Sequence, residues 1–97
     1  MHLSVLTPDV EYFSGQITSI KVPGAAGQFQ VLKNHAPIVS ALVDGAVEVK
    51  TSEGKLMKFV ITGGFIEVLN NKVALLVQGI TDFKKDSIER LDPFFIY

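Results

Sequence analysis

Residues 65–77 read Phe-Ile-Glu-Val-Leu-Asn-Asn-Lys-Val-Ala-Leu-Leu-Val, two apolar runs separated by a pair of asparagines. Asparagine tolerates the positive φ of a two-residue hairpin loop, so Asn70-Asn71 predicts a tight turn between two strands. The run after the turn is almost continuously apolar between Val73 and Val77, which predicts a strand buried on both faces. This stretch therefore indicates a β fold.

The same kind of pattern extends over most of the chain. Apolar residues alternate with polar ones in segments 2–5, 28–31 and 46–50, and a period of two is typical of strands. Turn-forming residues recur about every 7–11 residues, which is the spacing of a β-sandwich or a closed barrel. We therefore expect one all-β domain over residues 1–82.

Residues 83–97 lack the β alternation and form a short C-terminal tail in our interpretation. Asp86 or Ser87 could cap a short helix, which Pro93 would end. The chain closes with four apolar residues, 94–97. Because such a run would promote aggregation if it were exposed, we expect it to fold back on the sandwich or to meet a partner.

Composition narrows the class of function. The chain has 97 residues, of which 47% are hydrophobic and 20% charged, with a net charge of −1 and no cysteine. A dedicated nucleic-acid or anionic-lipid binder would carry a basic excess, so we expect no nucleic-acid partner. The lack of cysteine excludes a disulfide framework, thiolate zinc sites and thiol nucleophiles.

Few residues of the sequence could take part in catalysis or bind a metal ion. The two histidines, His2 and His35, do not form a His-x₃-His pair, and the sequence has no Gly-x-Ser-x-Gly elbow. The ten acidic residues are scattered over predicted strands and turns. We therefore expect no catalytic residue, no metal site and no cofactor.

Two glycine clusters need an interpretation. The segment Pro23-Gly24-Ala25-Ala26-Gly27 could cradle a phosphate, but it lacks the Gly-Lys-Ser/Thr ending of a P-loop, which favours a wide turn between two strands. Gly63-Gly64 lies between a predicted strand over 55–61 and another that starts at Phe65. A double glycine at this place predicts a bulge or a very close backbone approach.

A polar corner follows the predicted strand that ends near Leu32. Asn34 can form an Asx turn, and Pro37 restricts Ala36 to extended geometry. His35 at this corner either hydrogen-bonds the turn or faces a partner, and the sequence leaves both open.

These segments together resemble the N-terminal β domain of the epsilon subunits of F-type ATP synthases. The resemblance runs from Leu3 to about Val77. Its landmarks, in order, are Phe13-Ser14-Gly15, Pro23-Gly24-x-x-Gly27-x-Phe29-x-Val31, Asn34-His35-Ala36-Pro37-Ile38-Val39, Gly63-Gly64-Phe65-Ile66-Glu67-Val68 and Val73. The resemblance implies a flattened, ten-stranded sandwich or barrel of two five-stranded sheets.

The resemblance also implies a function without catalysis. Epsilon subunits belong to the central rotor stalk, bind the gamma subunit, rest on the membrane c-ring and help to couple proton flow to ATP synthesis. Carried over to this sequence, it places His35, Ala36 and Pro37 at the gamma interface and Gln28 at the c-ring. Gln28 stands where the family often has an acidic residue. The location implied is peripheral, on the cytoplasmic side of a bacterial inner membrane, and we expect the isolated chain to be a monomer.

The sequence departs from the family after the β domain. Typical members continue into a helical hairpin that in many bacteria inhibits ATP hydrolysis and in some binds ATP, whereas here residues 83–97 follow. We therefore expect neither inhibition by hairpin extension nor ATP binding. The alternative function is a stand-alone β-sandwich module that binds a ligand or peptide, with a small enzyme as a third class.

Overall fold

A computed structural model describes residues 1–82 of the chain, and it is built from strands alone. The strands are β1 (His2–Leu6), β2 (Glu11–Gly24), β3 (Gly27–Leu32), β4 (Ile38–Leu42), β5 (Gly45–Thr51), β6 (Leu56–Leu69) and β7 (Lys72–Asp82). The prediction of an all-β fold is confirmed. Within residues 1–82 no helix is long and apolar enough to cross a membrane.

The strands form two sheets, and three long strands take part in both. The first sheet contains, in order, β2 up to Gln16, then β1, the start of β7, the end of β6, and β4. The second contains β3, the rest of β2, then β5, the start of β6, and the end of β7. Each sheet has five strands when β2, β6 and β7 are counted in both, which confirms the ten-stranded sandwich that the resemblance implied.

Hydrogen bonding closes five of the strands into a ring. β1 pairs with β2, β2 with β5, β5 with β6, β6 with β7, and β7 with β1. The last of these pairs is parallel and the others are antiparallel. The ring ties the two sheets together through the strands that they share, although β2 up to Gln16 and the end of β7 each keep one open side.

The double glycine lies inside a continuous β6 rather than between two strands. Gly63 and Gly64 have φ values of 52° and 126°, in a region that side chains rarely allow. The pairing register with β7 is the same on both sides of them, so the predicted bulge is absent there. The alternative, a close backbone approach, is confirmed, because a Cβ on Gly64 would overlap the Leu76 carbonyl oxygen and lie 2.8 Å from the Cα of Val77.

The core lies between the two sheets. Leu3 and Val5 of β1 are fully buried, while the flanking residues of that strand point outward, as the alternation predicted. Phe59 is the largest fully buried side chain, and its ring lies 5.1 Å from that of Tyr12 at a tilt of 55°. Fully burying a side chain of this size is worth about 1.5–3 kcal/mol, so the core is the main source of stability.

One prediction about burial is wrong. The run from Val73 to Val77 is buried on one face only, because Val73, Leu75 and Val77 point into the core while Leu76 remains 43% exposed. No element of residues 1–82 covers the outer side of this sheet. Leu76 on the second side of this run is therefore not packed by any element of residues 1–82.

The predicted turns at Asn70-Asn71 and at residues 23–27 are both present. Asn70 and Asn71 have φ values of 51° and 61° and form the predicted two-residue turn between β6 and β7. The turn between β2 and β3 is tight rather than wide, since Gly24 pairs with Gly27 across Ala25-Ala26. A Cβ on Gly24 would lie 2.6 Å from the Gly27 carbonyl oxygen, which explains the glycine there.

The predictions for the tail lie outside the described residues. They concern the short helix capped by Asp86 or Ser87, its end at Pro93, the docking of residues 94–97, and the lack of inhibition and ATP binding.

Candidate interaction surfaces

The first surface is the His35 corner, residues 33–37, which joins β3 to β4. The backbone N–H of His35 donates to the Leu32 carbonyl at 3.1 Å. Nδ1 of the ring lies 2.7 Å from the Ala36 carbonyl oxygen, and because a carbonyl only accepts, Nδ1 carries a proton. His35 therefore bonds the turn, and the alternative that it faces a partner stays a prediction. Its Nε2 has no hydrogen bond to residues 1–82.

A side-chain bridge holds this corner against the β6–β7 hairpin. Oδ1 of Asn71 accepts the backbone N–H of Asn34 at 2.6 Å, and Nδ2 of Asn71 donates to Oδ1 of Asn34 at 3.0 Å. Asn34 has a φ of 66°. Its side chain bonds Asn71 instead of the local backbone, so the predicted Asx turn is not formed. The sequence contained no signal for this bridge, because it joins residues 37 positions apart.

Ala36 and Pro37 complete the corner and are exposed. β4 begins at the next residue, where Ile38 pairs with Val68 of β6. The three residues that the resemblance assigned to the gamma interface therefore lie together at one end of the first sheet.

The second surface, which we call the apolar face, is the outer side of the first sheet. Phe65 of β6 pairs with Ala41 of β4 and with Leu76 of β7, and Leu76 pairs with Leu6 of β1, so these four side chains form one row. Val39 lies two residues from Ala41 on the same side. The most exposed members are Val39 at 71% and Phe65 at 54%. Contiguous exposed apolar side chains of this kind mark interaction sites.

A groove opens at one end of the apolar face. It has a volume of about 280 Å³ and lies among Leu6, Pro8, Phe65 and Leu76. At the opposite end, Leu69 is 53% exposed and immediately precedes the Asn70-Asn71 turn that holds the His35 corner. Between the groove and the corner the same side of β6 carries Glu67, which is exposed and pairs with Val39, so the apolar face is bordered by a carboxylate there.

Gln28 lies on a third surface, the tip formed by residues 24–28. Its side chain is exposed, and it pairs with Pro23. Val31 of the same strand is fully buried and points inward. Because side chains alternate along a strand, Gln28, three residues away, points to the outer side of the second sheet. The structure does not bring Gln28 and the His35 corner together, because they lie at opposite ends of β3.

The outer side of the second sheet is hydrophilic. Lys21 pairs with Glu48 and Glu48 with Lys58, and the Lys58 ammonium lies 3.7 Å from the Glu48 carboxylate. An ion pair this exposed is worth about 0–1 kcal/mol and does little for stability. Leu32 and Leu56 are also exposed on this side, and Glu67 and Lys72 lie on the outer side of the first sheet, so the two surfaces differ in degree.

The described part of the chain contains no cluster of metal-ligating side chains. No three His, Asp or Glu side chains of residues 1–82 come close enough to hold a metal ion. His2 contacts Ser14 at 3.2 Å and Gln16 at 3.4 Å, but no carboxylate of residues 1–82 hydrogen-bonds that ring. The surfaces described above can bind and position a partner.

Comparison with known proteins identifies the class. Residues 1–82 match the family model for the ATP synthase delta/epsilon chain, β-sandwich domain. The chain belongs to this family, which confirms the resemblance. Among its relatives, the ATP synthase epsilon chain of Chlorobium limicola is 42% identical over 79 residues, covering 81% of this chain and 90% of the relative. The epsilon chain of Chlorobaculum tepidum is 44% identical over the same shares.

Family membership settles the coarse function. The relatives are epsilon chains of ATP synthase, so the chain is a non-catalytic stalk subunit of a membrane-associated complex. A chain of the Euglena gracilis mitochondrial ATP synthase has the same fold, with a TM-score of 0.78. It is 24% identical, and the match covers 90% of this chain and 54% of that one. At this identity the likeness concerns the fold alone.

Proposed function

We propose that the chain is the epsilon subunit of the rotor central stalk, where it binds gamma, contacts the c-ring and couples proton translocation to ATP synthesis. The observation that carries the proposal is the apolar face around Phe65, which lies on the same sheet as the His35 corner. In this role the chain is peripheral to the membrane, on the cytoplasmic side of a bacterial inner membrane, and it is a monomer when isolated.

The apolar face and the His35 corner supply the gamma interface. Phe65, Leu76 and Val39 are exposed in the described domain, and burying each of them against a partner removes apolar surface from water. Stable interfaces bury about 1,200–2,000 Å² in total, and a few central side chains supply most of the binding energy. Phe65 is one of the two inner members of its row and carries the only aromatic ring in it, so it is the main anchor.

Gln28 at the tip supplies the c-ring contact. The amide of Gln28 donates and accepts hydrogen bonds without a net charge, which suits the polar loops of the ring. From Gln28 to Leu32, β3 extends by about 13 Å at 3.3 Å per residue, and the His35 corner begins after that. This separation supports the proposal that the two surfaces serve two different partners.

Coupling requires that the body between the two contacts be stiff. β3 joins the tip to the corner and pairs with β2 of the ring, and its Val31 belongs to the core that the buried side chains of both sheets fill. Close-packed interiors transmit strain with little compression. A force applied at the tip is therefore passed to the gamma interface rather than absorbed within the domain.

The proposal is tested by purification of the complex. The full chain, tagged at one terminus, is expressed with its own ATP synthase, and membranes are solubilised in a mild detergent. We expect gamma and the c-ring to co-purify with the tagged chain in constant proportion. Recovery of the chain with a small molecule or an unrelated peptide, and without gamma, would support the stand-alone binding module instead.

A further inference from the structure

One strand edge is open beside the apolar face. β4 pairs with β6 along one side, while on its other side it meets β2 only at its end, where Leu42 pairs with Gly24. Two backbone hydrogen bonds make this short junction. Ala25 N–H donates to the Ala41 carbonyl at 3.0 Å, and Val43 N–H donates to the Pro23 carbonyl at 2.9 Å.

The junction fixes which backbone groups point outward from β4. In an antiparallel pair, the polar groups of alternate residues point to the same side of the strand. Because Ala41 and Val43 point away from β6, Val39 does so as well. The N–H and C=O of Val39 and the N–H of Ala41 have no hydrogen-bond partner among residues 1–82.

This edge carries none of the usual protection by charge or proline. Exposed edge strands typically contain charged residues, proline or a bulge, which prevent another strand from pairing with them. β4 reads Ile-Val-Ser-Ala-Leu, with no charged residue and no proline, and its pairing with β6 is regular. Ile38 is only half-buried, so the core is thinly covered along this edge.

We infer that the outer edge of β4 is a strand-addition site, which takes an extended segment of the gamma subunit. The inference rests on the proposed function and specifies how that partner is held. An extended backbone presents alternating acceptors and donors at the spacing of Val39 and Ala41. Its side chains opposite these two residues extend the apolar face and are apolar, while those opposite Ile38 and Ser40 cover the rim of the core.

Amide hydrogen exchange, measured residue by residue by NMR, tests this directly. In the free full-length chain, the amides of Val39 and Ala41 exchange rapidly, whereas that of Ser40, which points toward β6, is protected. In the complex with gamma, we expect exchange of both Val39 and Ala41 to slow at least tenfold. The amide of Gln30, on the outer edge of β3, is the internal reference and stays unchanged.

Proline variants distinguish the contribution of the β4 backbone to gamma binding from that of its side chains. Val39→Pro removes an N–H that makes no bond within residues 1–82, so the fold is retained and the dissociation constant for gamma rises roughly tenfold. Val39→Thr keeps the N–H and changes the constant much less. Gln30→Pro is the matched control, because it removes an outward N–H from the other edge strand, and it leaves binding unchanged.

The outcomes distinguish this inference from the proposed function. If gamma binds and the Val39 and Ala41 amides still exchange rapidly, strand addition is wrong and the proposed function stands. If no complex with gamma forms, both are wrong. Protection already present in the free chain also overturns the inference. If that protection disappears in a chain ending at residue 82, the tail occupies the edge. If that protection depends on protein concentration, a second copy of the chain occupies the edge.

Discussion

The side chain of Asn71 bonds both the backbone N–H and the side-chain carbonyl of Asn34, at 2.6 and 3.0 Å. One asparagine at the β6–β7 turn therefore fixes the corner that carries His35, Ala36 and Pro37. Because both asparagines adopt positive φ, each combines a backbone conformation that few residues tolerate with a side chain that joins two loops. The corner is thus held in place before any partner arrives.

Asn71→Gly tests this bridge. Glycine keeps the positive φ and removes both side-chain bonds, so we expect the free energy of unfolding to fall by about 1–2 kcal/mol. Asn70→Gly is the matched control, since Asn70 has a similar φ and no side-chain bond to the corner. Urea unfolding checks both. Equal effects of the two changes would show that the bridge adds nothing to the turn.

Gly64→Ala tests the close approach of β6 to β7. A Cβ there meets the backbone of Leu76 and Val77 at a φ of 126°, so we expect a loss of more than about 3 kcal/mol. Gly27 has a φ of 133° and open space around a Cβ. Gly27→Ala therefore carries only the backbone strain, about 1–3 kcal/mol. Equal losses in urea unfolding would contradict the role assigned to packing.

His35→Ala tests the corner as a binding surface. If His35 carries part of the gamma interface, the dissociation constant rises at least about fivefold, equivalent to roughly 1 kcal/mol. Lys50→Ala, an exposed change on the outer side of the second sheet, leaves it unchanged. Calorimetric titration of gamma into each full-length variant gives the comparison. An unaltered constant for His35→Ala would move the site away from the corner.

Gln28→Glu tests the tip. If Gln28 faces the c-ring, the new charge changes the coupling between proton pumping and ATP hydrolysis at low ionic strength. The change fades above about 0.1 M salt, where exposed charges are screened beyond about 10 Å. Gln30→Glu puts the same charge two residues further along the same side and has the smaller effect. If the coupling between proton pumping and ATP hydrolysis is unchanged in Gln28→Glu at low salt, Gln28 does not face the c-ring.

The sequence predicted local features well and relations between distant residues poorly. Period-two alternation gave the strands, and Asn70-Asn71 gave its turn, because both depend on neighbouring residues. The bridge from Asn71 to Asn34 and the open edge of β4 depend on which strands become neighbours. The prediction that the run from Val73 to Val77 is buried on both faces failed for the same reason. An exposed apolar face has the same composition as an apolar face buried in the core.

Binding of gamma to the apolar face is tested most directly by one pair of variants. Phe65 and Leu56 are both exposed apolar residues, at 54% and 71%, on the outer sides of the first and second sheets respectively. We measure the affinity of gamma for the full chain carrying Phe65→Ser or Leu56→Ser. We expect a loss of tenfold or more for Phe65→Ser, roughly 1.4 kcal/mol, and none for Leu56→Ser. Unchanged affinity with Phe65→Ser, or a larger loss with Leu56→Ser, would contradict it.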